Sequence, residues 1–364
     1  MGKKGRVVVA MSGGVDSSVA AALLLEQGWE VIGITLRLWE EERTLEPPVP
    51  ARSCCAWESV LDARQVASAL NIDHYVLNMK DQFKEAVVDY FVNEYRNGRT
   101  PNPCIACNKK IKFSSLLHRA RELEASHLAT GHYARVEYDH PGDRFLLKRG
   151  LDTWKDQSYM LYELTQEQLR HLLFPLGELT KEQVRRKAAA LNLGVAKKQE
   201  SQEICFIPDN DYRAFLRRWG LKAVPGPIVN RRGEIMGTHE GFPFYTIGQR
   251  KGLGLAAARP LYVLEIRPAE NTLVVGEREE LYRPGLEVKG LNLIAIPALT
   301  EELPVTVKIR YRSPAVPAVL QPLGDQTAAR VIFEQPQPAV TPGQAAVFYR
   351  GDLVLGGGII SAAL

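Results

Sequence analysis

Residues able to do chemistry fall in three places along the chain. The first is Ser12-Gly13-Gly14-Val15-Asp16-Ser17, set between the apolar run Val7-Val8-Val9-Ala10 and the stretch Ser18-Val19-Ala20-Ala21-Ala22-Leu23-Leu24-Leu25. That order reads as strand, tight turn, helix. Paired glycines let the backbone turn sharply and come close to a ligand. The first amides of the helix then offer unpaired N–H groups, and the helix dipole favours an anion. Ser12, Ser17 and Ser18 add hydroxyl donors. Asp16 adds a carboxylate, which suits a Mg²⁺ shared with a phosphate. No Gly-Lys-Ser/Thr follows, so this is not a Walker loop. The plain alternative is a glycine-rich turn without a ligand. The complete Ser-Gly-Gly-x-Asp-Ser string in this setting weighs against it.

The second place is Cys104-Ile105-Ala106-Cys107, and the third is Cys205 within Ile204-Cys205-Phe206-Ile207. A Cys-x-x-Cys can be half of a zinc site, a redox pair, or one partner in thiol chemistry with a distant cysteine. Zinc would need two more ligands; His132 and Cys205 are conceivable, but no second Cys-x-x-Cys exists. Pro101-Asn102-Pro103 and the lack of a Trp-Cys context argue against a thioredoxin-like pair. Lys109, Lys110 and Lys112 follow Cys107, and nearby cations favour the reactive thiolate. By residue type alone, Cys205 between Ile and Phe reads as an inert core thiol. Cys54 and Cys55 sit in a charged, proline-rich stretch and receive no role.

The elements that must position these groups follow from pattern. The chain has 364 residues, 45% hydrophobic and 24% charged, which suits two or three globular domains. Its net charge of +4 permits nucleic-acid binding without demanding it. No apolar run approaches the ~20 residues of a membrane span. The N-terminus leads straight into the first strand with no signal peptide, so a cytoplasmic location is expected, with no membrane partner. Five cysteines do not suggest a disulfide scaffold.

The first ~200 residues alternate apolar runs with helical patterns, as in a parallel sheet covered by helices. Strands are expected at Val31 to Leu36, His74 to Leu77 and His127 to Thr130, and helices at Ser59 to Leu70, Asp81 to Arg96 and Lys109 to Leu123. Glu40 to Arg52 reads as an exposed loop, and Asn97 to Cys104 as a loop constrained by proline. Thr180 to Leu191 is a helix with a Thr cap, Gln183 three residues on, and Gly194 as its stop. Ligands of doubly wound sheets sit at the carboxyl ends of strands, where Ser12 to Ser17 and Gly131-His132 both fall. From Val224 onward, glycines and prolines punctuate short segments of a small β-rich module. From about residue 281, alternating runs suggest a small β-barrel. Alternation in Lys308-Ile309-Arg310-Tyr311-Arg312 places three cations on one strand face.

The Ser-Gly-Gly-x-Asp-Ser string resembles that of the pyrophosphatase-loop ATP enzymes. Further strings extend the likeness: Gly98-Arg99-Thr100-Pro101-Asn102-Pro103, Cys107-Asn108-Lys109, Ala129-Thr130-Gly131-His132-Tyr133 and Lys155-Asp156-Gln157-Ser158-Tyr159. Ile204 to Ile207, Gly248 to Gly254, Thr341-Pro342-Gly343-Gln344 and Gly356 to Ile360 complete it. Together, from residue 6 to residue 361, they resemble the tRNA-specific 2-thiouridylases.

The resemblance implies a doubly wound, mostly parallel α/β sheet of the adenine nucleotide alpha hydrolase type. A small β-rich central module and a C-terminal β-barrel would follow, with boundaries at 1–207, 208–280 and 281–364. It implies ATP and Mg²⁺ as cofactors and ATP-dependent 2-thiolation of the wobble uridine. Ala10, Met11, Ser12, Gly13, Gly14, Val15, Asp16, Ser17 and Gly131 would hold ATP, with Leu36 on the adenine. Cys107 matches the nucleophile and Cys205 the persulfide carrier; Asp16 would position Mg²⁺ or pyrophosphate. Asn102, Pro103 and Cys104 would lie at the target base. Lys155, Asp156, Gln157, Arg310, Tyr311 and Gln344 would contact tRNA; His132, by its place next to Gly131 at the expected ATP site, reads as a contact to tRNA or nucleotide. A sulfur-donor protein and a reductant are the further implied partners. Cys104 departs from the family's usual Asp, and Cys104, Cys107 and Cys205 could together ligate an Fe–S cluster. An amidating or lysidine-forming ligase, and a mere RNA- or metal-binding module, are the competing readings.

Overall fold

Val7, Val8 and Val9 are inaccessible to solvent because their strand lies at the centre of a parallel sheet, buried on both faces. The computed structural model describes residues 4–39, 57–199, 204–207, 210–324 and 326–364. The expected loop at Glu40 to Arg52, with Cys54 and Cys55, lies outside them. The described chain divides into two compact units. The first comprises 1–88, 104–211 and 352–354, and the second 89–103, 212–351 and 355–364.

In the first unit, β1 (Arg6–Ala10), β2 (Glu30–Arg37), β3 (Asp73–Asn78), β4 (His127–Ala129) and β7 (Leu172–Leu173) form a sheet ordered β3-β2-β1-β4-β7. All its pairings are parallel. Its core joins β1 to the apolar faces of helix α1 (Val15–Glu26), helix α2 (Trp57–Ala69) and helix Lys181–Ala190. β5 (Ala134–Asp139) and β6 (Arg144–Arg149) form an antiparallel hairpin.

Three local expectations change. The helix carrying the Cys-x-x-Cys begins at Pro103 rather than Lys109: α-helix at Pro103–Cys107, π-helix at Asn108–Leu116, α-helix at Leu117–Glu122. Proline suits a first helical position, where its missing N–H would be an orphan anyway. The stretch expected as one helix at Asp81 to Arg96 likewise contains a π segment, Lys84–Asp89. The capping box of Thr180 and Gln183 is present as expected. Helix Lys181–Ala190 is stopped not by Gly194 but by Asn192, the residue after its Leu191 cap, whose φ is +50°. There the amides of Asn192 and Leu193 bond back to Ala189 and Ala188.

The second unit holds β8 (Gly226–Val229), β9 (Ile235–His239), β10 (Tyr262–Arg267) and β11 (Thr272–Gly276), in the order β10-β11-β8-β9. Then come β12 (Tyr282–Leu293), β13 (Leu303–Lys308), β14 (Val316–Leu323), β15 (Ala328–Pro338), β16 (Ala345–Arg350) and β17 (Leu353–Ala363). They run β12-β15-β14-β13-β16-β17, and β12 also pairs with β17, which closes the barrel. The three-cation strand face is not formed. β13 stops at Lys308, and Arg310, Tyr311 and Arg312 lie in a bend and turn. The chain turns there through Ser313, whose hydroxyl donates to the Arg310 carbonyl at 2.9 Å. Among the described residues, no helix is long and apolar enough to cross a membrane.

Candidate functional site

The carboxyl ends of β1, β2 and β4 open onto one cleft of about 200 Å³ in the first unit. β1 and the turn after it supply Ala10, Met11 and Ser12; α1 supplies Asp16 and Ser17. Ile34, Leu36 and Leu38 make an apolar wall, and Thr130, Gly131 and His132 follow β4. The π segment adds Lys112, and Gln157 completes the lining.

Close backbone approaches fix the turn. Gly13 has a φ of +67°, and a Cβ there would sit 2.1 Å from the Ser59 carbonyl oxygen. At Gly131 a Cβ would lie 2.8 Å from the Ser17 nitrogen, so glycine is what lets β4 and α1 meet. Gly14 caps α1 with no side-chain hydrogen bond, which leaves the first-turn amides to a ligand. The Ser12 amide donates to Ser17 Oγ at 3.1 Å, and the Ser18 hydroxyl donates to Gly14 O at 2.8 Å.

Beneath the turn, Thr35 Oγ1 donates to the Met11 carbonyl at 2.7 Å. That uses its only proton, so His74 Nε2, 2.8 Å away, is the donor to Thr35. His74 Nδ1 is buried with no hydrogen-bond partner. Burial, helped by Arg64, lowers this imidazole's pKa and keeps it neutral.

Asp16 is not a bare carboxylate. Lys181 Nζ lies 2.7 Å from its Oδ1 and 2.9 Å from its Oδ2, and the Tyr133 hydroxyl donates to Oδ1 at 2.8 Å. Lys198 Nζ donates to Gly13 O at 3.1 Å and pairs with Asp62. Sequence reasoning missed Lys181, Lys198 and Tyr133 as parts of the site. The one available signal was that Lys181 directly follows the Thr180 cap.

Of the expected nucleotide residues, Ala10, Met11, Ser12, Asp16, Ser17, Leu36 and Gly131 line the cleft. Gly13, Gly14 and Val15 form the turn itself, Val15 being buried. Cys107 is buried and Cys104 exposed, one helical turn apart. Next to Cys107, Asn108 accepts from the cleft's Lys112 at 3.0 Å and donates to the Met160 carbonyl at 3.0 Å. Cys205 is half-buried. Its neighbour Phe206 packs edge-on against Phe83 at 5.7 Å and tilted against Trp39 at 6.0 Å, one residue past the cleft's Leu38. Core burial therefore belongs to Phe206 and Ile207 rather than to the thiol.

His132 faces the cleft with Nδ1 2.7 Å from Thr130 Oγ1. Phe113 and Phe174 wall it in. Burial, with the Lys112 charge adding to it, pushes the imidazole well below its ordinary range. In the loop before Tyr159, Gln157 Oε1 accepts from the Tyr133 amide at 3.1 Å. Asp156 points inward. It accepts from the Gly150 and Ser158 amides and from the Ser158 hydroxyl, so its part is to hold the loop that presents Lys155 and Gln157.

Asn102, Pro103, Arg310, Tyr311 and Gln344 belong to the second unit. There Gln344 Nε2 donates to Thr100 O at 2.9 Å, and the Thr100 amide to Pro342 O at 2.9 Å. Two distant strings, 98–103 and 341–344, thereby meet. Arg310 Nη2 is spent on Ala339 O and Thr341 Oγ1, both at 2.8 Å, while Lys308 Nζ lies 5.7 Å from the Tyr311 ring centre.

The chain matches three family patterns in order. They are described as a tRNA methyl transferase HUP domain over residues 5–209, a tRNA methyl transferase PRC-barrel domain over 213–277, and an aminomethyltransferase beta-barrel domain over 283–360. It is 54% identical to a tRNA-specific 2-thiouridylase of Caldanaerobacter subterraneus, covering 98% of this chain and 97% of that protein. It is 52% identical to the one of Carboxydothermus hydrogenoformans, covering 100% and 99%. The 2-thiouridylase of Moorella thermoacetica is 53% identical, covering 98% and 99%.

Proposed function

Because this chain belongs to the tRNA-specific 2-thiouridylase family and is an enzyme of that sulfurtransferase class, we propose that it replaces the C2 oxygen of the tRNA wobble uridine with sulfur, using ATP. The observation that carries the reading is the surround of the cleft. One border is the uncapped start of α1. Another is Lys112 of the π segment that follows Cys107, and a third is Leu38 of the apolar wall. The reading is supported by neighbours: Asn108, next to Cys107, bonds the cleft's Lys112, and Phe206, next to Cys205, packs on Trp39, which follows the cleft's Leu38.

The chemistry needs an anion site and both thiols. The uracil C2 carbonyl is a poor electrophile with a poor leaving group. Attack of O2 on the α-phosphorus of ATP releases pyrophosphate and leaves AMP on that oxygen. The first-turn amides of α1 and the hydroxyls of Ser12 and Ser17 suit the phosphates. Ile34, Leu36 and Leu38 offer the apolar face an adenine needs.

Sulfur arrives as a persulfide on Cys205, loaded by a donor protein. The Cys107 thiolate attacks Cys205 Sγ, the Cys107–Cys205 bond forms, and sulfide leaves. Sulfide adds at C2 and expels AMP. Attack by the persulfide itself, followed by Cys107, reaches the same products. Either order leaves a disulfide that an external dithiol reduces. Asp16 lines the cleft as an acidic side chain, but Lys181 holds both of its oxygens, so a Mg²⁺ would be held mainly by the substrate phosphates. Among the described residues, no three His, Cys, Asp or Glu side chains converge to cage a metal ion. No step runs through an Fe–S cluster at Cys104, Cys107 and Cys205. In this reading residues 1–207 carry the chemistry, while 208–280 and 281–364 grip the RNA.

The test is mass spectrometry of tRNA nucleosides after incubation with ATP, Mg²⁺ and a persulfide donor. Wild type yields 2-thiouridine with pyrophosphate and AMP. Cys107→Ser and Cys205→Ser each lose it. Full turnover in both variants would sink the thiolation reading in favour of another adenylating ligase.

A further inference from the structure

Trp154 is 93% exposed, on a loop that is otherwise tightly built. Its amide donates to Asp152 Oδ1 at 3.0 Å, and the Lys155 amide bonds to the same oxygen at 3.2 Å. Asp152 Oδ2 accepts from the Lys181 amide at 2.9 Å, which ties the turn to the helix whose lysine holds Asp16. The Leu151 amide donates to Gly177 O at 2.8 Å, and the Gln157 amide to Tyr133 O at 2.9 Å. With Asp156 filling the interior, the backbone on both sides of the indole is fixed. These hydrogen bonds fix the backbone that carries the indole, and the ring itself is left in water.

Gln157 lines the cleft, and three residues of chain span at most about 11 Å. Whatever meets the indole is thus a near neighbour of the group in the cleft. Lys155 is the next residue in the chain, a positive charge that suits a negatively charged partner. Leu151 is the other large apolar side chain exposed on this loop. Two such side chains are too few for a protein interface, which needs about 800 Å² per partner. One indole face is enough for a nucleobase.

We infer that Trp154 is a stacking platform for an unstacked base of the RNA substrate next to the target nucleotide. This rests on the tRNA reading above and adds a named contact to it. The ring contributes by stacking and Lys155 by charge, so the two respond differently to salt.

Trp154→Ala and Trp154→Phe are compared with wild type in filter binding to tRNA. They are also compared in steady-state thiolation with sulfide as the sulfur source, which removes any donor protein. Trp154→Ala should bind tRNA about 5- to 150-fold more weakly, the range for losing one base stack. Its kcat at saturating tRNA and its KM for ATP should stay unchanged. Trp154→Phe should recover most of the affinity, and the slope of log affinity against log salt should not move. Wild-type affinity in Trp154→Ala overturns the inference. So does a defect seen only with a persulfide-bearing protein donor, which would make the ring a protein contact. If wild type itself makes no 2-thiouridine, the functional reading fails first, and the two failures are told apart.

Discussion

Lys181 decides what charge an incoming nucleotide meets. Asp16 sits in the first turn of α1, where a polyanion would otherwise face its carboxylate. With Lys181 on both oxygens, the pair is neutral and the helix dipole prevails. Removing the ammonium leaves a carboxylate held only by Tyr133, whose hydroxyl does not cancel charge. The pair is partly exposed, 11% for the lysine side chain and 31% for the aspartate, so the stability loss stays at about 1–3 kcal/mol. Lys181→Met is expected to raise the KM for ATP by about tenfold or more, the worth of one charge-assisted interaction. Lys181→Arg should restore much of it. Pyrophosphate-release kinetics on the three proteins check this, and an unchanged KM in the methionine variant would refute it.

At the scale of elements, the cleft depends on how closely β4's end approaches α1. A methyl at residue 131 meets the Ser17 nitrogen, the Asp16 carbonyl carbon at 2.9 Å and the Asp16 Cβ at 3.1 Å. Backbone cannot swing away as a long side chain can. Gly131→Ala should therefore displace the start of α1 and cut ATP-dependent pyrophosphate release at least tenfold. The overall melting temperature should fall by only a few degrees, because one local displacement costs about 1–3 kcal/mol. A pyrophosphate-release assay and a thermal melt on the same sample check both halves. The elements concerned were readable beforehand because unbroken apolar runs mark strands buried on both faces. The Thr180–Gln183 box was equally plain. The π segments were not, because the sequence carries the periodicity of an ordinary helix through them. Only in the fold do Ser114 and Ser115 send their hydroxyls to the carbonyls of Lys109 and Lys110, five residues back. Lys181 was hidden for a different reason: its partner lies 165 residues away in sequence, and no spacing announces such a pair. The strand drawn through Arg310 failed because alternation continues past Lys308 while the hydrogen-bond ladder stops.

Taken over the whole molecule, the resolved histidine shifts all run one way. Burial lowers the pKa of His74, His127, His132 and His239, with added repulsion from Arg64, His171 and Lys112 at the first three. At His239 a hydrogen bond to Asn271 works against the burial. These groups fall in both units, so acid bears on both. An imidazole whose folded pKa lies below its ordinary 6.5 is neutral in the fold while the unfolded chain takes up the proton. Its contribution is complete above pH 6.5 and is lost as pH falls below it. For His132, held well below that value, the loss continues furthest into acid. The paired carboxylates Glu122 and Glu167 have pKa values lowered from 4.5 by Arg119 and Arg121, so they begin to matter only in stronger acid. The window between pH 6.5 and 5 therefore isolates the histidines. Urea midpoints should fall steadily across it, and His132→Asn should flatten the fall even if its stability at pH 8 is lower. A midpoint that stays level from pH 7.5 to 5 would show that these imidazoles take up protons in the fold as readily as outside it, and a variant as steep as wild type would show the same of His132 alone.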